Sequence, residues 1–248
     1  MLKVNNVGKS FGGLKALTDL TFSIEKNMIN SIIGPNGAGK TTAFNLLTGV
    51  LKADCGEIIF ESKDLTNLKP HKIAELGITR TFQNLQIFSN MTVLENVITG
   101  MHLRTKSNLL HAMFGLNKKE EKKLKERSLE TLELLGLKKY AFLKSGSLPF
   151  GILRQVEIAR ALAVSPKLIL MDEPAAGLNP FETEELGVKI KEIIKTGVTV
   201  LLIEHDMNLV MDISDKITVL NFGQKIACGN PREIQKNPLV LKAYLGED

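Results

Sequence analysis

The chain has 248 residues, of which 44% are hydrophobic and 24% are charged, and its formal net charge is +5. This length suffices for one or two domains with a buried core. The longest apolar runs are only as long as a strand, and the first residues, MLKVNNVGKSFGG, lack the apolar core of a signal peptide. We therefore expect a cytoplasmic protein. The mild positive charge suits anionic ligands or a membrane surface and does not by itself indicate nucleic-acid binding. We expect no nucleic-acid partner.

Three early segments alternate between apolar and polar residues and predict short strands: residues 2–7, residues 20–25 and Cys55–Glu61. Turn residues lie between them, so we expect a small antiparallel sheet beside the main core. Phe11 lies between the first two strands, shortly before a glycine-rich motif. Spacing leaves two interpretations of its ring open: it stacks on an adenine base, or it is a core residue beside a turn.

The stretch Met28–Thr42 consists of an apolar run, a glycine-rich loop and helix-forming residues, and it matches the P-loop pattern G-x-x-x-x-G-K-[ST]. Glycines let the backbone approach phosphates, and the N–H groups that start the next helix face the anion. Lys40 is expected to reach the β- and γ-phosphates, and the Thr41 hydroxyl to hold Mg²⁺. The alternative, a plain turn between strand and helix, is disfavoured by this context. The predicted nucleotide-binding residues here are Gly34, Pro35, Asn36, Gly37, Ala38, Gly39, Lys40, Thr41 and Thr42.

The middle of the chain is predicted to be mainly helical. A short helix from residue 69 precedes a strand, Gly77–Phe82. Thr92, with Glu95 three residues later, predicts a helix with a capping box, and the pattern stays helical to about residue 164. We expect this block to form a subdomain. The charged run Lys118–Arg127 is interpreted as a solvated helix face.

Leu168–Pro174, LILMDEP, is an apolar run closed by two carboxylates. The run predicts a buried central strand. Two acids at its end are poorly explained by packing, because a buried charge needs a partner or a metal. In a P-loop protein, Asp172 would hold Mg²⁺ and Glu173 would orient or deprotonate the attacking water. The alternative is a surface strand end with incidental acids.

Val198–Glu204 predicts the next buried strand, and His205 follows it. The carboxyl ends of parallel strands meet at one edge of a sheet, so we expect His205 near the P-loop and Asp172. The last segments predict a hairpin, Lys216–Asn221 with Lys225–Cys228, and a closing helical segment, Pro231–Leu245.

Together these motifs resemble the nucleotide-binding subunit of an ABC transporter over nearly the whole chain. The matching motifs are a Walker A at 34–41, a Q-loop at Gln83, a signature at 148–152, a Walker B at 168–173, a D-loop at 176–179 and a switch histidine, His205. The family fold is α/β, a RecA-like P-loop core with an antiparallel β-subdomain and an inserted α-helical subdomain. The resemblance implies a single ABC ATPase domain over 1–248. Residues 1–83 and 165–248 would form the core and β-subdomain, and residues 84–164 the helical subdomain.

Within the family, several stretches are similar to the ATPases of branched-chain amino-acid importers. They are Arg80–Asn84, Met91–Val97, the insert at about 101–120, Val156–Leu162 and Asp172–Pro180. This resemblance implies ATP hydrolysis that powers uptake of branched-chain or other hydrophobic amino acids through separate membrane subunits. The chain would then be a peripheral protein on the inner face of the cell membrane.

The resemblance also implies partners and residue roles. Two such subunits, identical or different, would close head-to-tail over two ATP molecules. They would contact membrane permease subunits and, indirectly, a solute-binding protein. The implied catalytic residues are Lys40, Gln83, Glu173 and His205, and the implied Mg²⁺ residues are Thr41, Gln83 and, through water, Asp172. Gln83 would also report the γ-phosphate to the helical subdomain.

The signature departs from the family pattern Leu-Ser-Gly-Gly-Gln. The aligned residues are Leu148, Pro149, Phe150, Gly151 and Ile152. Pro149 offers a phosphate neither a hydroxyl nor an N–H, so only Gly151 and the helix N-terminus that follows keep anion-binding chemistry. We expect the ATP site that this signature completes in the partner to close more weakly. Asn179 replaces the usual Asp of the D-loop, a departure that the sequence does not explain.

Three other functions are weighed against the importer. The ATPase subunit of a lipid or lipopolysaccharide exporter has similar motifs, but Thr81–Asn84 and the insert favour the importer. A non-transport ABC ATPase that acts on ribosomes or DNA usually has two cassettes or long coiled-coil insertions, and this chain has neither. A binding module without hydrolysis is disfavoured because Glu173 and His205 are both present.

Overall fold

The computed structural model describes residues 1–81, 85–101 and 118–245. Its amino-terminal part contains a hairpin, the strand before the glycine-rich loop and the helix after that loop. The elements are β1 (Leu2–Phe11), β2 (Leu14–Ile24), β3 (Ile29–Ile33), α1 (Lys40–Leu47), β4 (Cys55–Phe60), β5 (Lys63–Asp64), α2 (Pro70–Glu75) and β6 (Ile78–Arg80). Strands β2, β1, β4 and β5 pair in this order as an antiparallel sheet, which confirms the predicted small sheet.

The first two strands are longer than the predicted segments 2–7 and 20–25. β1 pairs with β2 from Leu2, opposite Ile24, to Phe11, opposite Leu14, with register shifts between Val4 and Ser10. An inserted residue moves every following side chain to the other face of the strand. The alternation of apolar and polar residues in the sequence therefore ends at the first bulge of β1, although β1 stays paired with β2 beyond it.

The described residues of the middle part are mainly helical, as predicted. Its elements are α3 (Val93–Gly100), α4 (Lys118–Leu134), 3₁₀ turns at Lys138–Tyr140 and Ser145–Ser147, and α5 (Phe150–Leu162). The predicted capping box is confirmed, because Thr92 Oγ1 accepts from the Glu95 N–H at 3.2 Å and Glu95 Oε2 accepts from the Thr92 N–H at 2.7 Å. In α4, Leu132 is buried and Leu124 packs against the same core.

The carboxyl-terminal part alternates strands and helices before a final hairpin. Its elements are β7 (Leu168–Asp172), α6 (Pro180–Lys195), β8 (Thr199–Ile203), α7 (Met207–Ile213), β9 (Lys216–Asn221), β10 (Gln224–Gly229), α8 (Pro231–Gln235) and α9 (Pro238–Leu245). The predicted closing helical segment is thus two helices. Asn237 separates them, because its Oδ1 accepts from the Leu239 N–H at 2.9 Å and caps the second helix.

The main sheet has the strand order β10-β9-β3-β8-β7-β6, in which only the β10–β9 pair is antiparallel among the described strands. Every residue of β3, β7 and β8 is buried. In β7, Leu168 and Leu170 face a core shared with α1 and the antiparallel sheet, whereas Ile169 and Met171 face the helices. The residues after β3, β7 and β8 therefore meet at one edge of the sheet.

A helix that crosses a bilayer needs about 20 predominantly apolar residues. Within residues 1–81, 85–101 and 118–245, no helix is both long and apolar enough to cross a membrane.

Candidate nucleotide-binding and active site

The glycine-rich loop joins β3 to α1, as its sequence predicts. Gly34 has φ of 154°, and a Cβ on it would lie 2.1 Å from the Leu220 carbonyl oxygen. Gly39 has φ of 97° and caps α1, whose first residue is Lys40. Only glycine fits a backbone held this closely, and the N–H groups at the start of α1 stay free of intervening side chains.

Lys40 is held inside this loop. Its ammonium donates hydrogen bonds to the carbonyls of Gly34 at 2.7 Å and Pro35 at 3.0 Å, and the residue is 7% exposed. Burial lowers the pKa of Lys40, and the charges of Glu173 and Asp172 oppose that shift. A cation thus lies between the loop and two carboxylates.

Asp172 and Glu173 end the buried strand β7. Asp172 is 4% exposed, and its backbone N–H lies 3.4 Å from the Thr81 hydroxyl oxygen. Burial raises the pKa of Asp172, and the charge of Arg80 opposes the rise. Glu173 has φ of 46°, and its N–H donates to the Ile203 carbonyl at 2.8 Å. A left-handed backbone at a carboxylate residue is strained, and such strain is typical of functional sites.

His205 follows β8 and lies beside Glu173. Its Nδ1 is 3.9 Å from Glu173 Oε1 and 3.7 Å from Glu204 Oε2. The imidazole side chain is 62% exposed, whereas Glu204 is fully buried. The structure therefore brings His205 to the same sheet edge as the P-loop and the two acids.

Glu204 is a residue whose role the sequence does not reveal. Its carboxylate accepts hydrogen bonds from the backbone N–H groups of Ala175 at 2.8 Å, His205 at 3.0 Å and Asp206 at 3.3 Å. Burial raises the pKa of Glu204, and these three hydrogen bonds oppose the rise. The available signal was an acid at the end of an otherwise apolar strand.

Arg80 is a second residue whose role the sequence does not reveal. Its guanidinium donates to the side chains of Asn45 and Thr48, both at 3.1 Å, and lies 4.9 Å from the centroid of the Phe44 ring. Burial lowers its pKa, and the charge of Asp172 opposes the shift. Arg80 thus ties the end of β6 to the helix that follows the P-loop. A basic residue inside the predicted strand Gly77–Phe82 was the signal for it.

The P-loop, the start of α1, β2, the β9–β10 turn and Glu173 surround a cavity of about 460 Å³, whose described lining does not include Asp172 or His205. It is lined by Leu14, Lys15, Ala16, Asn36, Gly37, Ala38, Gly39, Lys40, Thr41, Thr42, Glu173, Phe222 and Gly223. Phe11 is not among the described residues that line it. The residue is 46% exposed, and the centroid of its ring lies 5.7 Å from Lys9 Nζ. The role of Phe11 stays a prediction, and Gln83 lies outside the described residues.

The signature segment lies apart from this cavity, since none of its residues belongs to the described lining. Helix α5 begins at Phe150, so Gly151 lies within its first turn rather than before it, and Pro149 caps the helix without a side-chain hydrogen bond. The segment packs on the D-loop of the same chain. A Cβ on Gly177 would lie 3.1 Å from the Phe150 ring, and one on Gly151 would lie 2.6 Å from Glu182 Oε1.

Asn179 has a structural explanation in this packing. Its Oδ1 accepts from the Glu182 N–H at 3.0 Å, and Glu182 Oε2 accepts from the Asn179 N–H at 3.0 Å. The two residues form a capping box that starts α6. Asn and Asp are equally good at this position, so the replacement of the usual Asp preserves the helix start.

Comparisons with known proteins agree with this geometry. A family model described as "ABC transporter" matches residues 17–176, and one described as "Branched-chain amino acid ATP-binding cassette transporter" matches residues 224–248. The chain is 43% identical to the high-affinity branched-chain amino acid transport ATP-binding protein BraF of Pseudomonas aeruginosa, over 100% of this chain and 98% of BraF. It is 42% identical to LivG of Escherichia coli K12, which has the same description, over the same shares of both chains.

A solved structure gives the same result. The ADP conformation of MJ1267, an ATP-binding cassette of an ABC transporter, superimposes with a TM-score of 0.87 at 38% identity. The match covers 100% of this chain and 99% of that one. The exporter alternative is not favoured by these relatives. The fold, the P-loop cavity and the full-length relatives lead to one conclusion: this chain belongs to the ABC transporter family of ATP-binding cassettes, in its branched-chain amino-acid group.

Proposed function

We propose that this chain is the subunit that binds and hydrolyses ATP to power an importer of branched-chain amino acids. The observation that carries this proposal is the convergence of Lys40, Asp172, Glu173 and His205 at one sheet edge. Glu173 lines the P-loop cavity and lies 3.9 Å from His205 Nδ1. The transported solute class follows from the relatives BraF and LivG and from the family match at residues 224–248.

The phosphates of ATP would bind to the loop N–H groups and to Lys40. Its ammonium has three protons and donates to two loop carbonyls, at 2.7 and 3.0 Å. On ATP binding, we expect it to exchange these carbonyls for phosphate oxygens. Burial lowers the pKa of Lys40, and the charges of Glu173 and Asp172 oppose this shift.

The available oxygen donors fit Mg²⁺. The Thr41 hydroxyl lines the cavity, and Asp172 ends the adjacent buried strand. Mg²⁺ in nucleotide sites needs only one or two carboxylates, because phosphates and waters complete its shell. Bound Mg²⁺ would neutralise phosphate charge, with Gln83 as a further proposed contact.

Glu173 would accept the proton of the attacking water, and His205 would hold the reacting groups in place. Phosphoryl transfer needs mainly positioning and charge stabilisation. Glu173 is suited to positioning because the Ile203 carbonyl fixes its backbone at 2.8 Å. His205 is suited to it because Glu204 holds the His205 N–H at 3.0 Å.

A second ATP-binding subunit would complete the site. The signature residues 148–152 are not part of the described lining of this chain's own cavity, so a neighbouring chain would have to supply them. This chain's own signature would complete the partner's site. Because Pro149 lacks a hydroxyl and an N–H, that site would close more weakly. Replacing the catalytic Glu separately in each partner tests this, and equal losses of turnover would contradict it.

The membrane permease would dock in a groove of about 730 Å³. One wall of the groove comes from the segment 1–83 and includes Val50, His71 and Ala74, and the other comes from segment 84–164 and includes Phe88 and Arg160. Phe88 is 52% exposed there. This arrangement supports our division of the chain into a core with residues 1–83 and 165–248 and a helical subdomain with residues 84–164. The same docking would hold the chain at the inner face of the membrane, and a solute-binding protein would act through the permease.

Transport is tested by producing the chain with its permease, partner ATPase and solute-binding protein in cells that lack leucine uptake. We expect ATP-dependent leucine uptake that disappears with Glu173→Gln. An exposed control, Glu184→Gln, should leave uptake unchanged. Uptake that is insensitive to the Glu173 replacement would contradict the proposed function.

A further inference from the structure

Phe222 occupies a position that favours other residues. It is the first of two residues in the turn between β9 and β10, where Asn221 pairs with Gln224. Phe222 has φ of 45° and Gly223 has φ of 76°. Two consecutive positive φ values are the mark of a type I′ turn, whose first position prefers Asn, Asp or Gly. A bulky aromatic residue with positive φ is a genuine outlier.

Packing does not explain Phe222 either. The residue is 86% exposed, the highest value among the exposed large hydrophobic residues that the structure describes. A single exposed apolar residue is ordinary. An exposed Phe at a backbone position that disfavours Phe is unusual, because both its backbone conformation and the hydration of its ring destabilise the folded state.

The backbone of the turn that carries Phe222 is fixed beside the P-loop. The Gly223 N–H donates to the Ala38 carbonyl at 3.1 Å, and the Gly223 carbonyl accepts from the Thr18 N–H at 2.9 Å. A Cβ on Gly223 would lie 2.5 Å from the Ala16 carbonyl oxygen. The turn is therefore fastened to both the P-loop and β2, and its position does not depend on the Phe222 side chain.

Phe222 lines the nucleotide cavity. The lining combines two kinds of residues: the loop N–H groups, Lys40 and Glu173 for charged groups, and Leu14, Ala16 and Phe222 as apolar surface. A nucleoside triphosphate has the same two parts, since its phosphates need donors and cations and its base needs an apolar or aromatic face.

We propose that Phe222 contacts the nucleobase of the bound nucleotide and contributes to its affinity. The proposal rests on nucleotide binding in the P-loop cavity. A phenyl ring offers a π-face and no hydrogen bond, so it strengthens binding of adenine and guanine nucleotides alike without selecting between them.

The test compares ATP with tripolyphosphate, which has the phosphates without the base, by titration calorimetry on the full chain. The variant is Phe222→Asn, because Asn suits the first position of the turn. We expect its ATP affinity to fall about tenfold, the scale of one base–aromatic stack, with tripolyphosphate affinity unchanged. The melting temperature of Phe222→Asn should equal or exceed that of the wild type. Phe222→Tyr keeps an aromatic ring and should bind ATP as tightly as the wild type. Phe222→Gly also suits the turn and should lose ATP affinity as Phe222→Asn does.

The control is Phe142→Asn, because Phe142 is also exposed, at 68%, and lies outside the described lining of the nucleotide cavity. It should leave both affinities unchanged. Unchanged ATP affinity in Phe222→Asn would overturn the proposal. If ATP affinity stayed the same and only turnover fell, the ring would contact the partner subunit rather than the nucleobase, and the proposal would again be wrong. Equal losses for ATP and tripolyphosphate would also overturn it, because the ring would then support the P-loop. A wild-type chain that binds neither ligand would instead contradict the nucleotide site itself.

Discussion

The Glu204 side chain accepts a hydrogen bond from the backbone N–H of Ala175 at 2.8 Å. The two residues lie on different loops of the active-site edge, after β8 and β7. The other oxygen of Glu204 accepts from the His205 N–H at 3.0 Å. One buried carboxylate thus connects the segment that follows the Walker B acids to the switch histidine.

We predict that Glu204→Gln lowers the turnover number while changing the ATP KM little. Its amide offers one acceptor oxygen, so the NH₂ group faces a backbone donor. The unsatisfied donor should also lower the free energy of unfolding by about 1–3 kcal/mol. Urea unfolding and steady-state hydrolysis measure the two effects, with the exposed Glu184→Gln as control. If Glu204→Gln hydrolysed ATP at the wild-type rate, the proposed role of Glu204 in positioning His205 would be wrong.

Asp172→Asn should abolish hydrolysis and yet stabilise the fold near neutral pH, on the order of 1 kcal/mol, as removal of a functional charge often does. Burial raises the pKa of Asp172 in the folded state. An acid with a raised folded pKa binds more protons when folded, so its unfavourable charge is fully present above that pKa.

The stability gap between Asp172→Asn and the wild type should therefore narrow as the pH falls through the raised pKa, and level off below the unfolded value of about 3.9. Thermal unfolding at several pH values measures the gap. Asp212→Asn, at an exposed surface ion pair, is the control and should show little change at any pH. If the stability difference between Asp172→Asn and the wild type instead widened as the pH falls, burial would not raise the pKa of Asp172.

Pro149→Ser should improve both the fold and the partner's site. Pro149 caps α5 without a side-chain hydrogen bond. Serine is among the best N-cap residues, so we expect a gain of about 0.5–2 kcal/mol in the free energy of unfolding. Its hydroxyl also gives the partner's ATP a donor, so turnover of the assembled pair should rise. Pro149→Ala separates the two effects, because it lacks the hydroxyl. A rise in turnover with Ala equal to that with Ser would contradict the role of the hydroxyl.

Asn179→Asp should leave stability within about 0.5 kcal/mol of the wild type, because both residues are strong N-caps. Asn179→Ala should lower the free energy of unfolding by about 0.5–2 kcal/mol, since it removes the bond to the Glu182 N–H. Chemical unfolding of the three proteins measures both values. A loss with Asp as large as that with Ala would contradict the capping explanation of this D-loop residue.

Much of the fold was predictable because its signals are local. Thr92 and Glu95 are three residues apart and form their capping box without help from distant elements. The apolar run before Asp172 forms a strand buried on both faces, as such runs do in parallel sheets. The length of β1 was not predictable, because its bulges are set by pairing with β2 and break the alternation.

The site was predictable where a residue acts directly and unpredictable where it acts through another. Lys40 and Glu173 stand in recognisable motifs. Glu204 matters because of hydrogen bonds to loops that only the folded sheet brings together, up to 29 residues away along the chain. Arg80 reaches Asn45, 35 residues earlier, for the same reason. Contacts of this length leave no periodic trace in the sequence.

The most direct test of ATP hydrolysis at this site is phosphate release by the purified chain, compared with its Glu173→Gln variant at saturating ATP and Mg²⁺. ATP binding by both proteins, measured in parallel, serves as the control that the cavity is intact. We predict that both bind ATP and that the variant releases phosphate at least about a hundredfold more slowly, the scale of general-base catalysis. Equal rates of phosphate release would contradict hydrolysis at this site.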